Sequence, residues 1–191
     1  MNLKKLFLIV ITILMIVLST LGCVESNEKN VTILTVTNGE YTAVYSLNDL
    51  ESIEAYNGTG RYIKTKLLPD SVVISDSVSY TGVRMYILLS NIPNLPENYN
   101  LRVVSADDWT VTYTKDDIDG NVDVYDENGN IFSNDTAVMI LAYMEEDKYY
   151  SEIDPNNEIG PLQIVFMKGN VITSSTLWSR MVVTIEVIPI E

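Results

Sequence analysis

The stretch Ala137-Val138-Met139-Ile140-Leu141-Ala142-Tyr143-Met144 has no charged or strongly polar side chain on either side of its pleat. A half-buried strand alternates apolar and polar residues, whereas a strand covered on both faces reads as an unbroken apolar run. Residues 137–144 are therefore predicted to form a central strand. Leu162 to Met167 is a second run of this kind. Met181 to Ile188 closes the chain with Val183, Ile185 and Val187 alternating against Thr184 and Glu186.

Working outward, the flanking segments are short and β-branched. Val31 to Thr37 and Glu40 to Tyr45 surround Asn38-Gly39, and Gly120 to Tyr125 and Ile131 onward flank Asn128-Gly129. Both pairs carry the two-residue hairpin signal. Tyr99 to Ala106 and Trp109 to Thr114 pair around Asp107-Asp108. Arg61 to Leu68 and Ser71 to Tyr80 are further strands about Pro69-Asp70. Ser46-Leu47-Asn48-Asp49 has the form of a capping box, and Leu47, Leu50 and Ile53 make a helical stripe that is expected to end near Asn57-Gly58-Thr59-Gly60. Val83, Tyr86, Ile87 and Ser90 are spaced for a second short helix that stops before Pro93. The expectation is about ten strands and two short helices in a single β-rich α+β domain.

The N-terminus has a different character. Lys4-Lys5 precede an apolar run from Leu6 to Leu18 broken only by Thr12, the n-region and h-region of a secretory signal. Thr20-Leu21-Gly22-Cys23 follows, a small residue before cysteine, as in a lipoprotein signal. The organisation expected is a signal peptide over 1–22, a lipidated tether over 23–30 with Cys23 as the lipidation site, and a folded domain over 31–191. An uncleaved signal-anchor helix is the alternative. Both orientations keep the lysines inside and place the body on the outer face of the cytoplasmic membrane.

Composition excludes more than it supports. The net charge of −14 becomes −16 once Lys4 and Lys5 are removed (−14 − 2 = −16). So acidic a body does not bind nucleic acid through phosphate neutralisation. Cys23 is the only cysteine and there is no histidine. The body thus has no disulfide, thiolate nucleophile, Ser-His-Asp triad or His/Cys metal site. Asn30, Asn57 and Asn134 each begin an Asn-x-Thr sequon, so they are glycosylation candidates on an exported chain.

Several segments, taken in order, resemble one family. Ser79-Tyr80-Thr81-Gly82-Val83 followed by Tyr86-Ile87-Leu88-Leu89 is similar to its Y-x-G-V stretch and helix. Val103-Val104-Ser105-Ala106-Asp107-Asp108-Trp109 resembles its strand and turn, and Ile140-Leu141-Ala142-Tyr143 its central strand. Gly160-Pro161-Leu162-Gln163-Ile164-Val165 resembles its G-P-L-R-L-V strand. Leu177-Trp178 with Val183-Thr184-Ile185-Glu186-Val187 resembles its end. The family is the molybdopterin-binding domain of sulfite-oxidase-type oxidoreductases, in the form of its small exported archaeal versions. The resemblance implies that fold, and a molybdenum held by a cysteine thiolate. This body has no cysteine, Gln163 stands where the family has Arg, and Thr176 precedes Leu177 where a histidine is often found. Fold is therefore carried over and redox activity is not.

The expected function is a non-catalytic binding or interaction module with no catalytic residue, no metal ligand and no cofactor. Its ligand would be a protein or a small molecule. A divergent molybdopterin-type oxidoreductase or redox partner is the alternative, with Arg84, Lys168 and Arg180 as provisional phosphate contacts. Asp117-Ile118-Asp119-Gly120-Asn121-Val122-Asp123 spaces oxygens like the start of a calcium loop, but Val122 and Asn128 fall where glycine and glutamate belong. It is read as a solvated hairpin. Glu145, Glu146, Asp147, Glu152, Asp154 and Glu158 contain enough carboxylates for glycoside hydrolysis; they are read as a polar loop. Trp109 and Trp178 are read as core or rim residues.

Overall fold

Short apolar runs punctuated by Asn-Gly and Asp turns leave no room for long helices, and the chain folds accordingly. The computed structural model describes residues 30–65, 72–156 and 160–190, without the side chains of 65 and 133–135. The signal, Cys23 and Glu158 lie outside the described residues. The strands are β1 (Thr32–Thr37), β2 (Thr42–Ser46), β3 (Ala55–Thr65), β4 (Val72–Ile74), β5 (Val78–Arg84), β6 (Tyr99–Ser105), β7 (Thr110–Tyr113), β8 (Asn121–Tyr125), β9 (Ile131–Thr136), β10 (Val138–Glu145), β11 (Lys148–Tyr149), β12 (Gln163–Met167), β13 (Ile172–Ser174) and β14 (Val182–Pro189). Four short helices, α1 (Leu47–Glu51), α2 (Met85–Ser90), α3 (Lys115–Ile118) and α4 (Tyr150–Ile153), and a 3-10 turn at Ser175–Leu177 join them. Among the described residues no helix is long and apolar enough to cross a membrane.

Two sheets result. The first has the order β2-β1-β14-β6-β7, with β1 and β14 parallel. The second runs β11-β10-β5-β3-β13-β8-β9, with β12 also on β10 and β4 on β3. The main core lies between them. Leu34 and Val36, Leu101 and Val103, and Ile185 and Val187 from the first sheet belong to one buried cluster with Val83, Leu141, Ile164 and Phe166 of the second. Leu50, Leu88 and Leu89 of α1 and α2 join the same cluster.

β10 is the central strand expected of residues 137–144. It pairs antiparallel with both β5 and β12. Its odd-numbered Met139, Leu141 and Tyr143 enter the main core, whereas Ile140 and Ala142 enter a second buried cluster with Tyr80, Tyr150, Val165 and Met167. An apolar residue at every position is what two covered faces require. At Gly82, on the neighbouring strand, an added Cβ would stand 2.2 Å from Leu141 O. Only glycine lets β5 come this near.

The capping box forms as read: Ser46 N–H donates to Asp49 Oδ2 at 2.7 Å and Asp49 N–H to Ser46 Oγ at 3.2 Å. Elsewhere the element boundaries need correction. α1 stops at Glu51, and Asn57-Gly58-Thr59-Gly60 lies inside β3. Its glycines are interior to a strand because Met167 and Trp178 pack over them. α2 buries Met85, Leu88 and Leu89, and Tyr86 is exposed. The strand read over 71–80 is interrupted at Ser75, whose Oγ accepts from Tyr62 N–H at 3.0 Å. The acidic run from Asp117 to Asp123 is divided between α3 and β8. Thr114 N–H donates to Asp117 Oδ2 at 2.8 Å in a second capping box, and Asp119 pairs with Lys115. The polar loop after Met144 is a tight hairpin, with Glu146 and Asp147 at φ 51° and 60°, that leads into α4.

Candidate functional site

On the second face of the β3-β5-β10-β12 sheet, β3 and β12 approach each other. Thr59 Oγ1 of β3 donates to Gly169 O, just beyond β12, at 3.0 Å. A Cβ on Gly60 would lie 2.8 Å from Trp178 Cη2 and 3.3 Å from Val165 Cγ1. Trp178 packs where they approach. Its ring meets Tyr62 and Tyr80 edge-on at centroid distances of 4.9 and 5.6 Å, and its Nε1–H donates to Thr173 Oγ1 at 2.9 Å. Such edge-to-face contacts suit the ring quadrupoles. Trp109, by contrast, is 65% exposed in the β6–β7 turn and belongs to no core.

At one end of this face the apolar lining gives way to polar groups. Tyr150 Oη donates to Gln163 Oε1 at 3.1 Å, and both residues are buried. Burial raises the phenols of Tyr80 and Tyr150 above the ordinary tyrosine range. Burial also raises the Glu145 carboxyl, while the Arg180 charge pulls it back and Glu146 adds to the rise. Glu145, Arg180, Tyr80, Tyr150 and Gln163 thus form one interacting polar group at the edge of an aromatic surface. Such a group can donate and accept hydrogen bonds. It offers no nucleophile of the serine or cysteine type.

The three provisional cations each have their own partners. Arg84 pairs with Ile140 across the β5–β10 ladder. Its Nη2 is 3.0 Å from Glu54 Oε1, its Nη1 donates to Tyr86 Oη at 2.9 Å, and the guanidinium lies over the Tyr56 ring at 4.9 Å. Lys168 follows Met167, the partner of Val138, and its Nζ is 3.1 Å from Thr136 Oγ1. Arg180 acts at the Glu145 end. Ile140 and Glu145 are five residues apart, about 16 Å along a strand. The acids read as a polar loop have local partners: Glu146 accepts from Ser79 N–H at 2.8 Å, Glu152 from Tyr149 N–H at 2.8 Å, and Asp154 from Asn156 N–H at 3.2 Å. Among the described residues no group of three His, Cys, Asp or Glu side chains could hold a metal ion. Asn30 and Asn57 are exposed, and Asn57 Oδ1 accepts from Thr81 Oγ1 at 2.7 Å; Asn134 lies in β9.

A molybdenum–pterin group held through a protein thiolate does not fit this set. No cysteine follows Cys23 and there is no histidine to replace it. A soft thiolate has no equivalent among carboxylates and phenols. Gln163 brings a neutral amide already bonded to Tyr150, where a guanidinium would offer charge to a phosphate. The polar group at Tyr150 was not foreseen. Its signal was the amide of Gln163 inside an otherwise apolar run, since a buried amide needs a partner.

No family model matches the sequence, and no curated protein does. Among solved structures the chain is similar to the sulfane dehydrogenase SoxCD from Paracoccus pantotrophus, with a TM-score of 0.55 and 14% identity. The match covers 87% of this chain and 40% of that one, so the chain spans well under half the length of that enzyme. At this identity the likeness concerns the fold. The fold is β-rich α+β and is similar to that of this sulfane dehydrogenase over most of the chain.

Proposed function

We propose that this chain is a membrane-anchored extracytoplasmic protein of the small exported type, whose sulfite-oxidase-like domain is a binding module and not a molybdenum enzyme. The donor set carries this reading. The fold is similar to an enzyme's, yet no cysteine follows Cys23 and the chain has no histidine. The Lys4-Lys5 pair, the apolar run and Cys23 support export and a lipid anchor. Asn30 and Asn57 are accessible acceptors for glycans if the domain is exported. The test is metal and pterin analysis of protein purified from its native membrane. The expected result is no stoichiometric molybdenum or tungsten and no sulfite oxidation with an artificial acceptor. A second reading, a divergent molybdopterin-type oxidoreductase, is favoured by the likeness to the sulfane dehydrogenase. Near one metal per chain, with pterin released on denaturation, establishes that reading instead.

A further inference from the structure

β2 is one of the two edge strands of the first sheet, and its hydrogen-bond phase is set at the turn. Asn38 N–H donates to Tyr41 O at 3.1 Å, which makes Asn38 and Tyr41 a hydrogen-bonded pair. The register continues as Val36 with Ala43 and Leu34 with Tyr45. Hydrogen-bonded and non-bonded pairs alternate along an antiparallel ladder. Ala43 and Tyr45 therefore turn their backbone groups toward β1, while Thr42 and Val44 turn theirs outward. Among the described residues no strand pairs with this outer edge. Thr42-Ala43-Val44-Tyr45 contains no charge and no proline, the usual protections of an open edge.

A cleft of about 500 Å³ runs along the strand. Tyr41 through Tyr45 line it together with Asp49, Ser52, Ile53 and Asn91. Residues of both side-chain phases border the cleft, as an edge-on position requires. It borders an edge strand and the C-terminal ends of α1 and α2, and an exposed sheet edge is a form that accepts an added strand. The geometry points to β-strand addition: an extended, cationic segment of a partner protein lies along β2 and bonds to the outward-facing backbone groups of Thr42 and Val44. The inference rests on the binding-module reading and names the partner that module takes.

Two observations commit the occupant. N–H and C=O groups at two-residue spacing along a straight edge are matched by another extended backbone, and five residues give about 17 Å of contact. The charge is set by Asp49, the ionisable carboxylate lining the cleft, with Glu40 in the adjoining turn and a body of −16 (−14 less Lys4 and Lys5). Val44 is 59% exposed beside this edge.

The probe is a random nonapeptide library displayed on phage and panned against the full chain in detergent. Enriched peptides should alternate Lys or Arg with apolar residues. Val44→Pro removes one outward N–H and leaves the β1 ladder intact. It should weaken binding roughly tenfold or more, while Val44→Thr binds as wild type and both keep the wild-type unfolding midpoint. Should Val44→Pro unfold, backbone amide shifts on titrating wild type with an enriched peptide decide. Shifts centred on Thr42–Tyr45 support the inference, and shifts centred elsewhere overturn it. Equal binding to Val44→Pro, or no enrichment over an unrelated acidic protein, also overturns it. A dimer abolished by Val44→Pro would assign the edge to a second copy. Binding seen only after deletion of residues 24–30 would assign it to the chain's own tether. Either result overturns the partner claim. Metal content separates this from the functional reading: failure to bind peptide without metal leaves the non-catalytic reading standing, whereas stoichiometric molybdenum removes it whatever the peptides do.

Discussion

Tyr150 and Gln163 share a hydrogen bond in a buried cluster, and removing one partner leaves the other unpaired. A buried group left so costs about 1–3 kcal/mol. Tyr150→Phe and Gln163→Leu should each lower the stability measured in urea by about that amount. The double variant should lose clearly less than the sum, because contacting residues couple. Strict additivity would show that the bond contributes nothing. Asp49 makes a second case. The Ser46 hydroxyl and then its N–H hold the Asp49 carboxyl below its ordinary value of 3.8. A depressed folded value means stability that is present above the unfolded value and lost as pH falls through the folded one. Acid titration of unfolding should therefore show wild type and Asp49→Asn converging below that value, with wild type the more stable at neutral pH. Parallel curves would remove the carboxylate as the cause.

At the scale of elements, the decisive strand is β10. Leu141 is fully buried between two paired strands. An unpaired carboxylate there costs several kcal/mol, on the order of the whole stability of a domain. Leu141→Asp is expected to abolish cooperative unfolding followed by circular dichroism. A soluble variant with a sharp transition would contradict the covered-face account. Strand periodicity and hairpin turns were readable for β1, β2, β6 to β10, β12 and β14, because their side chains follow one local rule. β3 was misread at its start. Asn57-Gly58-Thr59-Gly60 has the composition of a helix stop, yet Gly58 and Gly60 lie beneath Met167 and Trp178, far away in sequence. The α2 stripe was misplaced for a related reason: its buried face is chosen by the core it meets, and Met85, Leu88 and Leu89 meet it.

At the scale of the molecule, charge and the proposed export signal set expectations. A body near −16 should be stabilised by added salt at low ionic strength, since screening reduces its self-repulsion. Native protein should fractionate with membranes and be cut by protease added outside intact cells. Recovery in the cytoplasmic supernatant would overturn the proposed location. Cys23→Ala should block processing or release the lipid, visible as a change in mass; an unchanged mass would favour the uncleaved anchor.

The sequence by itself determined the β-rich class, the doubly covered strand at 137–144 and the absence of thiolate and imidazole from the body. Each follows from residue type or local spacing. Tertiary structure alone decided which partners Arg84, Lys168 and Arg180 take, that Gln163 meets Tyr150, and that β2 is left at an edge beside a cleft. These depend on which strands pair across large sequence separations, and local periodicity carries no information about distant partners.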